Sequence, residues 1–310
     1  MNDTLDWITL TESSTDTDLL EVDCFEPQQK TKPLLAAQNT VEDICNNYPG
    51  PFYLLCTGGI DSQSVIGCWT DFATSEALAK TTVISFVYNE QTNWFDVHNL
   101  KDICETAKLP LKFIDFDLMD FIESGECLET QKRYKTYSPQ MAAHIKMFEQ
   151  FESGTCIMSG NLELSLNLGL SPEHYSVVRY AKETNSLSED RKIVPFFFIH
   201  DSQIGSSVST KDRLKINNKA KSDFSHLDSG YAVKCAMYQF YGFRIQPQTK
   251  KYSGFEKFKD FYELSHVATP LEKLLTNGKP SKRVFDIHHR YAVESVVQQR
   301  NKIDIRRHTL

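Results

Sequence analysis

Two adjacent glycines, a carboxylate and several hydroxyls are packed into Leu54-Leu55-Cys56-Thr57-Gly58-Gly59-Ile60-Asp61-Ser62-Gln63-Ser64. The apolar run Pro51 to Cys56 before them has the length of a strand. Asp61 and Ser62 suit the first turn of a helix, and Val65 to Trp69 continue its apolar face. Paired glycines let a backbone approach a ligand closely. A helix start adds N–H groups without partners and a partial positive charge, so the turn suits an anion, above all a phosphate. Thr57 and Ser62 can add hydroxyl donors. Asp61 would repel a bare phosphate, and its place in the turn predicts a Mg²⁺ ion between carboxylate and phosphate oxygens.

No lysine follows the glycines, so this is not the GxxxxGKS/T loop of P-loop NTPases. The stretch Thr57-Gly58-Gly59-Ile60-Asp61-Ser62 resembles the SGGxDS signature of the PP-loop ATP pyrophosphatases (the adenine nucleotide alpha hydrolase-like superfamily), with threonine replacing the usual first serine. The resemblance implies that ATP is split between its α- and β-phosphates and activates an acceptor as an adenylate. It implies that Cys56, Thr57, Gly58, Gly59, Ile60, Asp61 and Ser62 surround the phosphates.

The elements needed to hold such a turn alternate as a βα fold should. Thr81 to Val87 reads as a second strand and Leu111 to Phe116 as a third, with helical spacing from Trp94 to Cys104 between them. Ser138-Pro139-Gln140-Met141 starts another helix, with proline in its first turn. Thr155 to Ser159 is a fourth strand, ending in Gly160-Asn161-Leu162-Glu163-Leu164. In doubly wound sheets ligands collect at the carboxyl ends of strands, near the switch in strand order. The expected fold class is therefore α/β, a doubly wound parallel sheet with helices on both faces, followed by a mainly helical C-terminal part; the resemblance implies that the sheet is of the HUP/PP-loop type.

Within the resemblance, Phe86, Val87 and Tyr88 form the adenine-side wall, with Asp96 in the next helix. The turn with Gly160, Asn161 and Glu163 is similar in placement to the GxGxDE loop of asparagine synthetase and the GNxxE loop of NAD synthetase, matching neither letter for letter. By that analogy Asp61 and Glu163 are the catalytic and metal-holding acids. Lys135, in the charged stretch Glu129 to Tyr137, and the pair Lys250 and Lys251 are candidate phosphate or substrate contacts.

The layout suggests three regions: a 1–39 extension with a small hairpin from Trp7–Leu10 and Leu19–Val22, a 40–200 nucleotide-binding domain, and a helical 201–310 substrate region. A capping-box pattern at Thr40 starts a short helix ahead of the first strand. Past residue 170 the alternation fades. Tyr180 to Asp190 reads as a mobile loop, and Thr210 to Ser225 as a polar lid. Ile193 to Ile199 is too apolar for the surface and resembles the Pro-Phe segment on the acceptor side of asparagine synthetase, with His200 and Asp201 as candidate contacts. Helices are expected at 230–240, 255–264 and 291–299.

The chain has 310 residues, 40% hydrophobic and 24% charged, with a net charge of −7. That balance argues against a protein that coats nucleic acid. No apolar run approaches the roughly 18 residues of a membrane helix. From the acidic start no signal peptide is expected. Eight cysteines form no CxxC pair, so no zinc or iron–sulfur site is signalled, and a reducing cytoplasm is expected. Charge is uneven: residues 1–30 carry eight acids and one lysine, whereas 14 basic and 7 acidic residues follow from Arg244 onward. That basic end reads as a solvated tail or as a surface for tRNA, DNA or another polyanion.

Together these features predict an ATP-dependent, AMP-forming ligase. It would adenylate a carboxylate or carbonyl of a small-molecule acceptor and transfer nitrogen, in the manner of asparagine synthetase without its glutaminase domain. Ammonia would arrive free or from a separate subunit. Two other readings stand beside it: a nucleobase- or tRNA-modifying enzyme of the same superfamily, and a nucleotide-binding protein without turnover.

Overall fold

The computed structural model describes residues 8–11, 17–22, 31–88, 93–134, 139–160, 162, 172–207, 212–248 and 302–306, the first two and the last of these as backbone alone. Five parallel strands carry the fold: β3 (Phe52–Leu55), β4 (Thr81–Tyr88), β5 (Leu111–Phe116), β6 (Gly154–Met158) and β7 (Arg191–Val194). Their order across the sheet is β5-β4-β3-β6-β7. The chain thus starts in the middle, winds outward to β5, then crosses back to lay β6 on the other side of β3. The reversal falls between Leu55 and Met158, which are register partners at the carboxyl ends of β3 and β6.

Alternation along each strand builds two cores, because successive side chains point to opposite faces. On one face Leu54, Val83 and Ile157 pack with α1 (Pro33–Asn47), α2 (Ile60–Phe72), α3 (Ser75–Ala79) and α4 (Trp94–Ala107). On the other, Leu55, Ile84 and Cys156 pack with α5 (Leu118–Glu123), α6 (Glu126–Tyr134), α7 (Pro139–Phe148) and α8 (Pro172–Leu187). Helices on both sides of a parallel sheet make the doubly wound α/β architecture that the sequence predicts. Two further helices, α10 (Arg213–Asp223) and α11 (Ser229–Phe240), join the first core through Ile216, Ala220, Cys235 and Tyr238, with the short α9 (Ser202–Ser207) before them.

The N-terminal hairpin is present: β1 (Ile8–Thr11) pairs antiparallel with β2 (Thr17–Val22), Ile8 opposite Val22. A distant third strand, β8 (Lys302–Arg306), pairs with the free edge of β2, Thr17 opposite Arg306. Among the described residues no helix is long and apolar enough to cross a membrane.

Four local readings need correction. The helix expected from Thr40 begins at Pro33, and Thr40 is a buried interior residue; the proline at the first position, not the capping-box pattern, marks the start. Tyr180 to Leu187 is the end of α8 rather than a loop, since Val177, Val178 and Ala181 give it a buried face and Arg179 pairs with Glu183 outside. The lysine-rich stretch read as a lid is α10, anchored by Ile216 and Ala220 and laced outside by Lys219 and Asp223 at 2.5 Å. Finally, the βα alternation does not end at residue 170: β7 follows α8, and the apolar run continues from it into a 3₁₀ turn at Phe197–Ile199. Both helices look polar because only one narrow stripe is apolar. The expected helices at 255–264 and 291–299 lie outside the described residues.

Candidate active site

The glycine turn leaves the end of β3 and enters α2 at the strand-order reversal. Gly59 is the N-cap, with no side chain capping the helix, so its first N–H groups remain for a ligand. Three hydroxyls gather around this opening. The Thr57 N–H donates to Ser62 Oγ at 2.8 Å, and the two side-chain oxygens stand 3.4 Å apart. Ser159, just beyond β6, brings its Oγ to 3.5 Å from Ser62 Oγ. The Gly59 N–H turns back to Thr57 Oγ1 at 3.3 Å. These contacts fix a loop of N–H and O–H dipoles, the arrangement that complements phosphate oxygens. Cys56 and Ile60 flank it from the core, and burial pushes the Cys56 thiol far up, leaving it inert.

From behind, the loop is clamped by amides. The Gly58 carbonyl accepts Asn99 Nδ2 at 2.5 Å, Gln248 Nε2 at 3.0 Å and Gln63 Nε2 at 3.4 Å. Gln63 and Asn99 also wall a cavity of about 830 Å³ between α2, α4 and residues 242–246, rimmed by the Asp71–Arg244 ion pair.

Asp61 is engaged in a way the sequence did not reveal. Lys234 Nζ lies 2.7 Å from its Oδ2, and the Tyr238 hydroxyl donates to its Oδ1 at 2.5 Å. The two partners stand four residues apart on α11, hence on one helix face. The Tyr238 oxygen also accepts the Leu162 N–H at 3.0 Å, tying the turn after β6 to the glycine loop. This arrangement does not fit Asp61 as a metal ligand. A divalent ion on Oδ2 would take the place of the ammonium seated there, and one on Oδ1 would displace the Tyr238 hydroxyl and lie beside that ammonium. Two unit charges about 4 Å apart interact by about 4 kcal/mol at an effective dielectric of 20, and a divalent ion doubles that repulsion. Glu163 lies outside the described residues.

The remaining predicted residues divide clearly. Gly160 follows β6 with φ +67°, and a β-carbon there would run into Phe196. Phe86 and Tyr88 are core residues, set edge-on to Phe116 at 6.4 and 6.5 Å, while Val87 is half-buried. Asn93 holds their backbone, donating to the Phe86 carbonyl at 2.6 Å and accepting the Tyr88 N–H at 3.1 Å. Asp96 is buried, with its carbonyl against Gly58. His200 is buried against α1, its Nε2 3.0 Å from Asp43 Oδ2. Asn161, Lys135, Lys250 and Lys251 lie outside the described residues. Sequence reasoning missed Ser159, Asn99, Gln248, Lys234 and Tyr238. One signal for Lys234 was available: it interrupts the otherwise apolar run Ala232 to Met237.

No protein-family model matches the chain, and no curated protein matches it. Among solved structures it is similar to the U34-tRNA thiolase NcsA from Methanococcus maripaludis with its 4Fe-4S cluster, at 11% identity and TM-score 0.36 over 82% of this chain and 87% of that one. It is similar to the NMN synthetase from Francisella tularensis at 12% identity and TM-score 0.32, over 82% of this chain and 97% of that one. A third is the glutamine-dependent NAD+ synthetase from Acinetobacter baumannii in complex with adenosine diphosphate, at 15% identity and TM-score 0.29, over 72% of this chain and 46% of that one.

Proposed function

We propose that the chain is an ATP-using enzyme of the PP-loop type that binds the triphosphate in the crevice between the ends of β3 and β6. The observation that carries this reading is the glycine loop itself: an uncapped helix start, with the hydroxyls of Thr57, Ser62 and Ser159 drawn together at the strand-order reversal. In the reaction, an acceptor carboxylate or carbonyl oxygen attacks the α-phosphorus. The bond to the bridging oxygen breaks and pyrophosphate leaves. Ammonia then attacks the activated carbon and AMP departs, giving an amide or amidine. The chain's part is to hold the phosphates in line and match their charge with fixed dipoles. Nitrogen transfer rests on the resemblance of the loop and of the Pro195–Phe198 segment to asparagine synthetase.

One observation favours nucleotide binding without turnover as the second reading: the carboxylate of Asp61 is already committed to Lys234 and Tyr238. Both readings are tested with α-labelled ATP, with and without a small-metabolite extract, comparing wild type with Gly58→Val. Extract-dependent AMP and pyrophosphate, lost in the variant, are the expected products. ADP in their place would overturn α–β cleavage. Tight, loop-dependent binding with no product would establish the second reading.

A further inference from the structure

We infer that Lys234, rather than a divalent cation held by Asp61, is the positive charge that a bound di- or triphosphate meets at the glycine loop. The inference rests on the nucleotide reading above and specifies how that site handles charge.

Lys234 is 7% exposed, on a helix whose neighbouring Ala232, Cys235, Ala236 and Met237 are buried and apolar. A buried ammonium is expensive unless paired, and an apolar side chain of similar size would fill this place at less cost. Packing alone therefore does not account for it. An ammonium has three N–H donors, and Lys234 directs one hydrogen bond to Asp61 at 2.7 Å, its single hydrogen bond among the described residues. Donor capacity remains at the mouth of a loop built from anion-binding groups.

Asp61 takes the complementary part. Its two oxygens are met by Lys234 and Tyr238, and Tyr238 in turn holds the Leu162 N–H beyond β6. Asp61 is the counter-ion that orients the ammonium while no anion is bound. An arriving phosphate oxygen becomes a further acceptor for the same ammonium. Ligands of this site are compounds carrying a diphosphate or triphosphate, with or without a nucleoside.

The test measures ATP and inorganic pyrophosphate binding by titration calorimetry, in EDTA and in excess Mg²⁺, for the full-length chain and three variants. Wild-type affinity for pyrophosphate is expected to change less than about threefold when Mg²⁺ is removed. Lys234→Met should weaken it at least thirtyfold in EDTA, and Lys234→Arg should recover most of that loss, which a merely structural role would not predict. Asp61→Asn frees the ammonium from its counter-ion and should tighten binding in EDTA by threefold or more. Each variant is first shown to melt cooperatively; if Lys234→Met does not, Asp61→Asn and Lys234→Arg decide. Binding that requires Mg²⁺ and is lost in Asp61→Asn would overturn the inference while leaving the nucleotide reading intact. Failure of wild type to bind ATP in either buffer would overturn both.

Discussion

The carbonyl oxygen of Asp96 lies so close to Gly58 that a β-carbon at position 58 would stand 2.2 Å from it, with the Asn99 β-carbon at 3.0 Å. The start of α4 is thus pressed directly onto the glycine loop, and glycine is required there for space. In Gly58→Ala the loop must move away from α4, breaking the Asn99 bond to its carbonyl. Overpacking of this kind costs about 1–3 kcal/mol. Nucleotide affinity should fall at least tenfold in a protein that still melts cooperatively; calorimetric titration beside a melting curve measures both. Unchanged affinity would show that the loop is not the phosphate site.

Gly160 is the second glycine with a specific demand. Its φ of +67° is disfavoured for other residues, and a β-carbon there would lie 2.9 Å from that of Phe196. The left-handed conformation alone costs about 1–2 kcal/mol for an L-residue. Gly160→Ala should lower the melting temperature by several degrees and loosen the turn that Leu162 anchors on Tyr238. Hydrogen exchange at the Leu162 amide reads the second effect.

Tyr238→Phe removes the hydroxyl that bonds to Leu162 and Asp61. The bond from the Leu162 N–H to Tyr238 is lost and Asp61 loses a donor. Leaving a buried group unsatisfied costs about 1–3 kcal/mol. Urea unfolding should report a loss in that range with an unchanged slope. Stability equal to wild type would mean that water replaces the hydroxyl at both positions.

Buried thiols make stability fall in alkaline solution. Burial raises Cys104 and Cys235 from 9.0 to about 11, and Cys68 and Cys156 to about 12. In the unfolded chain these thiols lose protons first, so between pH 9 and 12 unfolding releases protons. Their contribution is whole below pH 9 and disappears as pH rises through 11 and 12. The urea midpoint should be flat from pH 7 to 8.5 and fall steeply above 9. Replacing Cys104 and Cys235 together with alanine should make that fall shallower.

Much of the frame was legible in the sequence because it is written locally. The strands at 52–55, 81–88, 111–116 and 154–158 are short apolar runs between turn signals, and Gly58-Gly59 sits where one passes into a helix. The α8 and α10 helices were misread for an equally local cause: Val177, Val178 and Ala181, like Ile216 and Ala220, form stripes too narrow to outweigh the surrounding polar residues. The Asp61 cluster was not legible at all. Lys234 and Tyr238 reach Asp61 across 173 and 177 positions of sequence, and that meeting depends on how α11 packs against the first core. An acid beside two glycines reads as a metal ligand until its counter-ion is seen.

The pairing of Lys302–Arg306 with Thr17–Val22 bears on how the molecule is made. The strands of the parallel sheet have all left the ribosome once Val194 has emerged, and can assemble during synthesis. The three-stranded sheet must wait for Arg306. Until then the outer edge of β2 is an open template that other chains can join, so the interval before Arg306 emerges exposes this protein to intermolecular strand exchange.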